Sequence, residues 1–238
     1  MALQDREYIR AGAGVATAEY DAGLRAHMLR VYNYMCAGLI LTGVVAFFVA
    51  STPAAVNLIY GTPLKWVAML APLAFILVMS FGVHKMSFST LQIVFWAFAA
   101  AMGVSMSSIF LVYAGDSIAR VFFITAGMFA AMSLYGYTTK RDLSKMGSFL
   151  MMGVIGLLIA MIVNFFMQSS ALHFAISVLG VLIFTGLTAW DTQKIKESYH
   201  VSHGHETAGK LAIMGAVELY LDFVLMFQFL MSLLGSRE

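Results

Sequence analysis

From Met146 to Trp190 the chain runs 45 residues without a formal charge. A helix rises about 1.5 Å per residue, so about 20 apolar residues cross the roughly 30 Å hydrocarbon core of a bilayer. The run is therefore two crossings and a turn, with "MQSSALH" (Met167–His173) as the polar turn. The remaining charge-poor stretches divide in the same way. One span lies near Val31–Ala50, followed by a short polar loop with Pro53, Asn57 and Pro63. A second occupies residues 66–84, a third Phe88–Tyr113, a fourth Ile118–Tyr137, and the last Leu211–Leu234. A closed barrel, the other way through lipid, would read as short alternating segments, whereas these are continuous. The expectation is an all-α integral membrane protein, a seven-transmembrane-helix bundle over residues 29–238.

Only 11% of the residues are charged, about half the soluble average, and the net charge is +2. No clustered basic face suggests nucleic acid; the expected surroundings are the lipid bilayer. Residues 1–28 mix acids with arginines, unlike a signal or transit peptide, and read as a flexible polar cytoplasmic tail. With the N-terminus inside, eleven of the 14 Lys and Arg fall on inner segments. Lys65, Arg120 and Arg237 fall outside. The bias predicts an inner N-terminus and an outer C-terminus. A re-entrant last segment would return the C-terminus to the inside. Cys36 stands alone, so no internal disulfide is available, and it reads as a small apolar packer. Small residues recur in the middle spans as Ala97 and Ala101, Gly103 and Ser107, Ala126 and Ala130, Gly153 and Gly156, a pattern that lets helices approach closely.

Three acids sit at membrane depth. Asp191 ends the sixth span in "GLTAWDTQKIK". Asp222 lies inside the last span in "VELYLDFVLMFQFLM", one helical turn after Glu218. Mid-span acids mark polar pathways or proton relays. If Asp191 and Asp222 face each other they titrate as a unit, because two close carboxylates cannot both ionise cheaply. Protonated, they share a hydrogen bond; deprotonated, they repel unless a cation lies between them, and oxygen ligands suit Ca²⁺. Asp191 alone also reads as an interfacial acid bridged to Lys194, and Glu218 as a water-facing acid. With Lys194 and Lys210 both at the inner interface, Asp191 is about 5 Å deep, Glu218 about 12 Å and Asp222 about 18 Å. Glu218 is then the nearer partner, unless the last helix begins well outside the bilayer. His84 and Lys85, at the inner end of the second span, are the candidate bases for such a latch.

"SMSSIFLVYAG" (Ser105–Gly115), "YGYTTKRDLSKMGSFL" (Tyr135–Leu150), "GLTAWDTQKIK" (Gly186–Lys196) and "LYLDF" (Leu219–Phe223) resemble the transmembrane Bax-inhibitor-motif family, in its bacterial branch. The resemblance covers the chain from about residue 25 onward. It implies seven helices with the last at the centre of two three-helix layers, in a bacterial inner membrane. It also implies a pH-sensitive Ca²⁺ leak governed by two aspartates, which carry over onto Asp191 and Asp222 as the gating pair and as transient Ca²⁺ ligands. A second implied role is modulation of a membrane-bound ATP-dependent protease, for which the polar tail offers a handle. The chain departs from the family in three places. The family's second-span arginine is replaced by the choice of His84 or Lys85, Leu225 stands where an asparagine is common, and Glu218 adds a charge.

"HVSHGH" places His200, His203 and His205 in an inner loop. They could hold a transition metal but lack an acid or thiol partner, and the segment reads as a polar loop. Neither the Gly-x-Gly-Asp nor the Pro-Ala-Leu signature of intramembrane aspartyl proteases is present. No His-Glu-x-x-His, Gly-x-Ser-x-Gly or phosphate loop occurs. The expectation is a protein without enzymatic activity and without a resident cofactor.

Overall fold

The computed structural model describes residues 2–200 and 204–236, with side chains from Tyr20 onward. Eight helices follow one another: α1 Ala2–Ala50, α2 Pro53–Tyr60, α3 Leu64–Gly82, α4 Phe88–Val112, α5 Gly115–Thr138, α6 Ser144–Met167, α7 Ser170–Glu197 and α8 His205–Leu234. All but α2 are long and apolar enough to cross a bilayer. The described residues contain no strand. The chain is an all-α membrane bundle, as its charge-free runs predict.

Local chemistry sets the ends of these helices. The Ser87 hydroxyl accepts from Thr90 N (3.2 Å) to open α4, and Ser169 accepts from Leu172 N (3.3 Å) to open α7. The turn between α6 and α7 is tight. Gln168 takes a left-handed conformation at φ 50°, while Asn164 Oδ1 accepts from Ser169 N (3.0 Å). Before α6, Ser144 N donates to Asp142 Oδ1 (2.8 Å), and the Ser144 hydroxyl and amide hold that exposed carboxyl below its usual range. The α1 backbone is helical from Ala2, so the polar tail runs into the first span without a break, and the spanning stretch begins at Tyr20.

The first polar loop departs from expectation. Pro53 occupies the first turn of a helix, where its missing N–H costs nothing, and α2 follows. Ile59 is buried, and the Tyr60 hydroxyl lies 2.8 Å from Ser107 Oγ on α4.

The packing forms two layers around one helix. Helices α1, α3 and α4 make one layer and α5, α6 and α7 the other; α8 packs against α1, α4, α5 and α7. Within its spanning window 56% of α8 is buried, against 6% of α6. Large apolar side chains on α6, such as Ile155, Ile162 and Phe166, face outward, as suits a lipid-facing helix. The last helix is thus the core, and Tyr220, Leu219 and Met226 on it are fully buried. Tyr220 joins α8 to α1 and α4. Thr42 donates to Ala99 O (2.8 Å), which leaves the Tyr220 hydroxyl to donate to Thr42 Oγ1 (2.6 Å).

Candidate functional site

The acids meet where the C-terminal half of α7 lies against α8. An added Cβ on Gly215 would sit 3.1 Å from Ile195, which sets the register of the two helices. Asp191 is one turn outward of Ile195 on α7, and Glu218 and Asp222 are one and two turns outward of Gly215 on α8. The helix α8 therefore starts ten residues, about 15 Å, below the Ile195 level. This early start cuts the depth mismatch between Asp191 and Asp222 to about one helical turn, which their side chains span. Both aspartates are buried, Asp191 at 8% and Asp222 at 4% exposure. Their side chains interact directly, and Asp191 also feels the Glu218 charge. Asp222 Oδ2 is buried with no hydrogen-bond partner among the described residues.

One cation joins the group. Lys194 Nζ lies 2.7 Å from Glu218 Oε1 and 3.5 Å from Asp191 Oδ1. Its ammonium also sits 5.3 Å from the centroid of the Trp190 ring. Asp191 is thus bridged to Lys194 and also neighbours Asp222.

Lys85 and His84 are not the bases at this site. Both lie in the exposed turn after α3, and neither makes an ion pair among the described residues. The reason is architectural. Helix α3 packs on α2 and α4 at the edge of its layer, away from α7 and α8. The turn that carries Lys85 and His84 adjoins the start of α8, where Phe88 meets Gly209, more than two helical turns before Glu218, whereas Lys194 lies one turn from Asp191.

No three His, Cys, Asp or Glu side chains converge as metal ligands among the described residues. Between Asp191 and Glu218 the Lys194 ammonium takes the place a metal cation would need. His200, in the α7–α8 connection, and His205, the first residue of α8, are exposed, and His203 lies outside the described residues.

A polar chain that sequence reasoning did not single out runs behind the acids. The Thr192 hydroxyl donates to Thr188 O (2.7 Å), so Ser133 donates to Thr192 Oγ1 (3.0 Å) and Tyr32 donates to Ser133 Oγ. The chain ties α1 to α5 and α7 beside Asp191. Gln193 adds a second tie. Its amide donates to Arg141 O and its carbonyl accepts from Leu143 N, both at 2.8 Å. Outward of Asp222 the seam turns apolar: Leu225 is the next residue on that face, and Phe184 stacks on Phe229 with ring centroids 5.9 Å apart.

Comparison with known proteins points the same way as the fold. A family model described as inhibitor of apoptosis-promoting Bax1 matches residues 24–238. Protein RP147 of Rickettsia prowazekii is 50% identical over 92% of this chain and 93% of its own length. A Caulobacter vibrioides protein is 43% identical over 98% of both chains. The inner membrane protein YbhL of Escherichia coli is 43% identical over 91% of this chain and 94% of its own. With seven spans arranged around a buried last helix, and with a family match that begins in α1 and runs to the C-terminus, this chain belongs to the Bax inhibitor-1 family of membrane proteins.

Proposed function

We propose that the chain forms a pH-sensitive Ca²⁺ leak of the bacterial inner membrane, gated by Asp191 and Asp222. The location is the one named for its relative YbhL. The observation that carries the reading is Asp222: a buried carboxyl in the central helix, with one oxygen lacking a hydrogen-bond partner among the described residues and a second buried acid beside it. Burial of that kind is costly, and intramembrane acids tend to be retained for proton or ion handling.

With a proton between them, the aspartates share a hydrogen bond and clip α7 to α8. Loss of the proton leaves two carboxylates facing each other in a medium of low dielectric, where they repel strongly. Lys194 offsets one negative charge. A divalent cation with a preference for oxygen ligands offsets both. In this mechanism Ca²⁺ enters between Asp191 and Asp222, and Lys194, released from Asp191, swings toward water along its flexible stem. The apolar seam at Leu225, Phe184 and Phe229 makes the observed conformation a closed one, so conduction requires α7 and α8 to part.

The test is Ca²⁺ flux into proteoliposomes across pH 5 to 8. Wild type should leak with a pH midpoint, and Asp191→Asn and Asp222→Asn should each abolish the pH dependence. Lys194→Met should move the midpoint, and Lys85→Met should leave it in place. Absence of wild-type flux at every pH would remove the transport reading. The acids would then be structural, and a role as an interaction protein, a regulator of a membrane-bound ATP-dependent protease, would take its place.

A further inference from the structure

A second feature lies on the lipid-facing side, independent of the acids' role in transport. Helices α1 and α5 meet at the Tyr32–Ser133 hydrogen bond but do not pack along their length; α1 rests on α4 and α8, and α5 rests on α7 and α8. Between them runs an open groove of about 1070 Å³, with Phe223 of α8 among its lining residues. The lining is almost wholly apolar and includes Ala126 and Ala130. These small residues, spaced for close helix contact, have no helix against them; Ala130 is exposed into the groove. On the opposite wall a Cβ added to Gly43 would meet nothing within 4 Å. On α1 the groove spans Arg25 to Val44, which is about 28 Å of helix, longer than one leaflet of the roughly 30 Å core.

The inner mouth is cationic. Arg25 lines it, is exposed, and makes no ion pair among the described residues; Asp21, one turn earlier, is exposed and does not bridge to it. Tyr137 lines the same mouth. Lys196 Nζ donates to Tyr137 O (2.8 Å) and sits 5.3 Å from the Tyr137 ring centroid, also without a carboxylate partner. An apolar slot that opens sideways to the bilayer, with Arg25 in its lining at one end and Lys196 held on Tyr137 beside it, matches one chemistry. An acyl chain fills the slot, and an anionic headgroup meets Arg25 and Lys196. A second protein helix would bury Arg25 against apolar surface, whereas a lipid lets it keep its headgroup partner and water.

We infer that the α1–α5 groove is a binding site for an anionic phospholipid of the inner leaflet, held by one acyl chain against Ala126, Ala130 and Phe223 and by its headgroup at Arg25 and Lys196. The occupant lies against the wall of the acid site: Phe223 follows Asp222 in sequence, and Tyr32 and Ser133, which lead to Thr192, line the same groove.

The experiment is lipid retention by native mass spectrometry. Full-length protein is reconstituted in an equal mixture of phosphatidylglycerol and phosphatidylcholine with matched acyl chains, then re-extracted. Wild type should retain phosphatidylglycerol over phosphatidylcholine by about fivefold, the ratio equivalent to the ~1 kcal/mol that one basic residue contributes near an anionic surface. Arg25→Gln should bring the ratio toward one. Ala130→Trp, which fills the slot without touching the mouth, should strip both lipids. If the Trp variant does not fold, Lys196→Gln carries the test through the headgroup ratio alone. Equal retention of the two lipids by wild type would overturn the proposal, as would full retention by Ala130→Trp. A lipid-free mass of two chains would mean that the groove seats a second copy, and would overturn it too.

Discussion

Thr42 has a single hydroxyl proton, and it goes to Ala99 O; the Tyr220 hydroxyl therefore depends on Thr42 as its acceptor. The asymmetry has a measurable consequence, because Tyr220 is fully buried in the central helix. Tyr220→Phe removes one donor and leaves Thr42 bonded to Ala99. Its cost should be about 0.5–1 kcal/mol, in the range of single hydrogen bonds in membrane bundles. Thr42→Val leaves the Tyr220 hydroxyl buried without an acceptor, at a cost of about 1–3 kcal/mol. Unfolding in mixed micelles should rank Thr42→Val as the more damaging variant. An equal or reversed ranking would mean that Tyr220 finds another acceptor. The same reasoning sets the acids apart. Thr42 and Tyr220 complete one another, whereas Asp222 keeps one oxygen without a partner among the described residues, and that imbalance sets the candidate site apart from this contact.

Among the helices, glycine spacing and glycine use diverge. Gly153 and Gly156 advertise a close approach in sequence, yet a Cβ on Gly156 would meet nothing within 4 Å, because α6 faces lipid there. Gly153 does meet Ile183 of α7, and the crossings against backbone occur at Gly103, where a Cβ would fall 2.7 Å from Thr42 O of α1, and at Gly136, against Ala189 O of α7; Gly147 lies against the Trp190 ring. Gly136→Ala should therefore destabilise the bundle by about 1–3 kcal/mol through overpacking against backbone. Gly156→Ala should be neutral or stabilising by up to about 1 kcal/mol, from helix propensity. Thermal unfolding in detergent distinguishes the two, and a loss of stability at Gly156 would argue for a partner on that face. The span boundaries were legible because charge and turn residues punctuate them; the sixth span begins at Ser170, inside the turn read from "MQSSALH". The partners were not. Spacing gives a helix face but not the helix that covers it, so Lys194 was readable only as an interfacial companion of Asp191, and Lys85 looked available until α3 was seen at the edge of its layer. Tyr32, Ser133 and Thr192 are single residues on three separate helices, and no periodic pattern in the sequence could have joined them.

For the whole molecule, the open question in the sequence was whether the last segment crosses or turns back. Its outer end is fastened in two places. Ser236 N donates to Ser117 Oγ (2.9 Å) and Ser236 O accepts from Ala114 N (3.0 Å), which ties the C-terminus to the α4–α5 turn. Ser232 Oγ lies 2.8 Å from His173 Nε2 at the start of α7. Both anchors stand at the end of the bundle opposite the α7–α8 loop, so α8 runs its full 30 residues, about 45 Å, from one face to the other. Seven crossings would put the termini on opposite sides, and the concentration of Lys and Arg on the N-terminal side predicts which side is the cytoplasm. The lone Cys36 makes this testable with a small background. In a Cys36→Ser chain, Ser236→Cys should react with a membrane-impermeant maleimide in intact spheroplasts, because Ser236 is exposed. Lys140→Cys, exposed in the α5–α6 connection, should react only after the membrane is opened. The reverse pattern would invert the orientation and place Asp191 and Asp222 toward the outer face, so that the gate proposed above would face external rather than cytoplasmic pH. Labelling of both positions from one side would mean that α8 does not cross, and the central helix of the bundle would have to be redrawn.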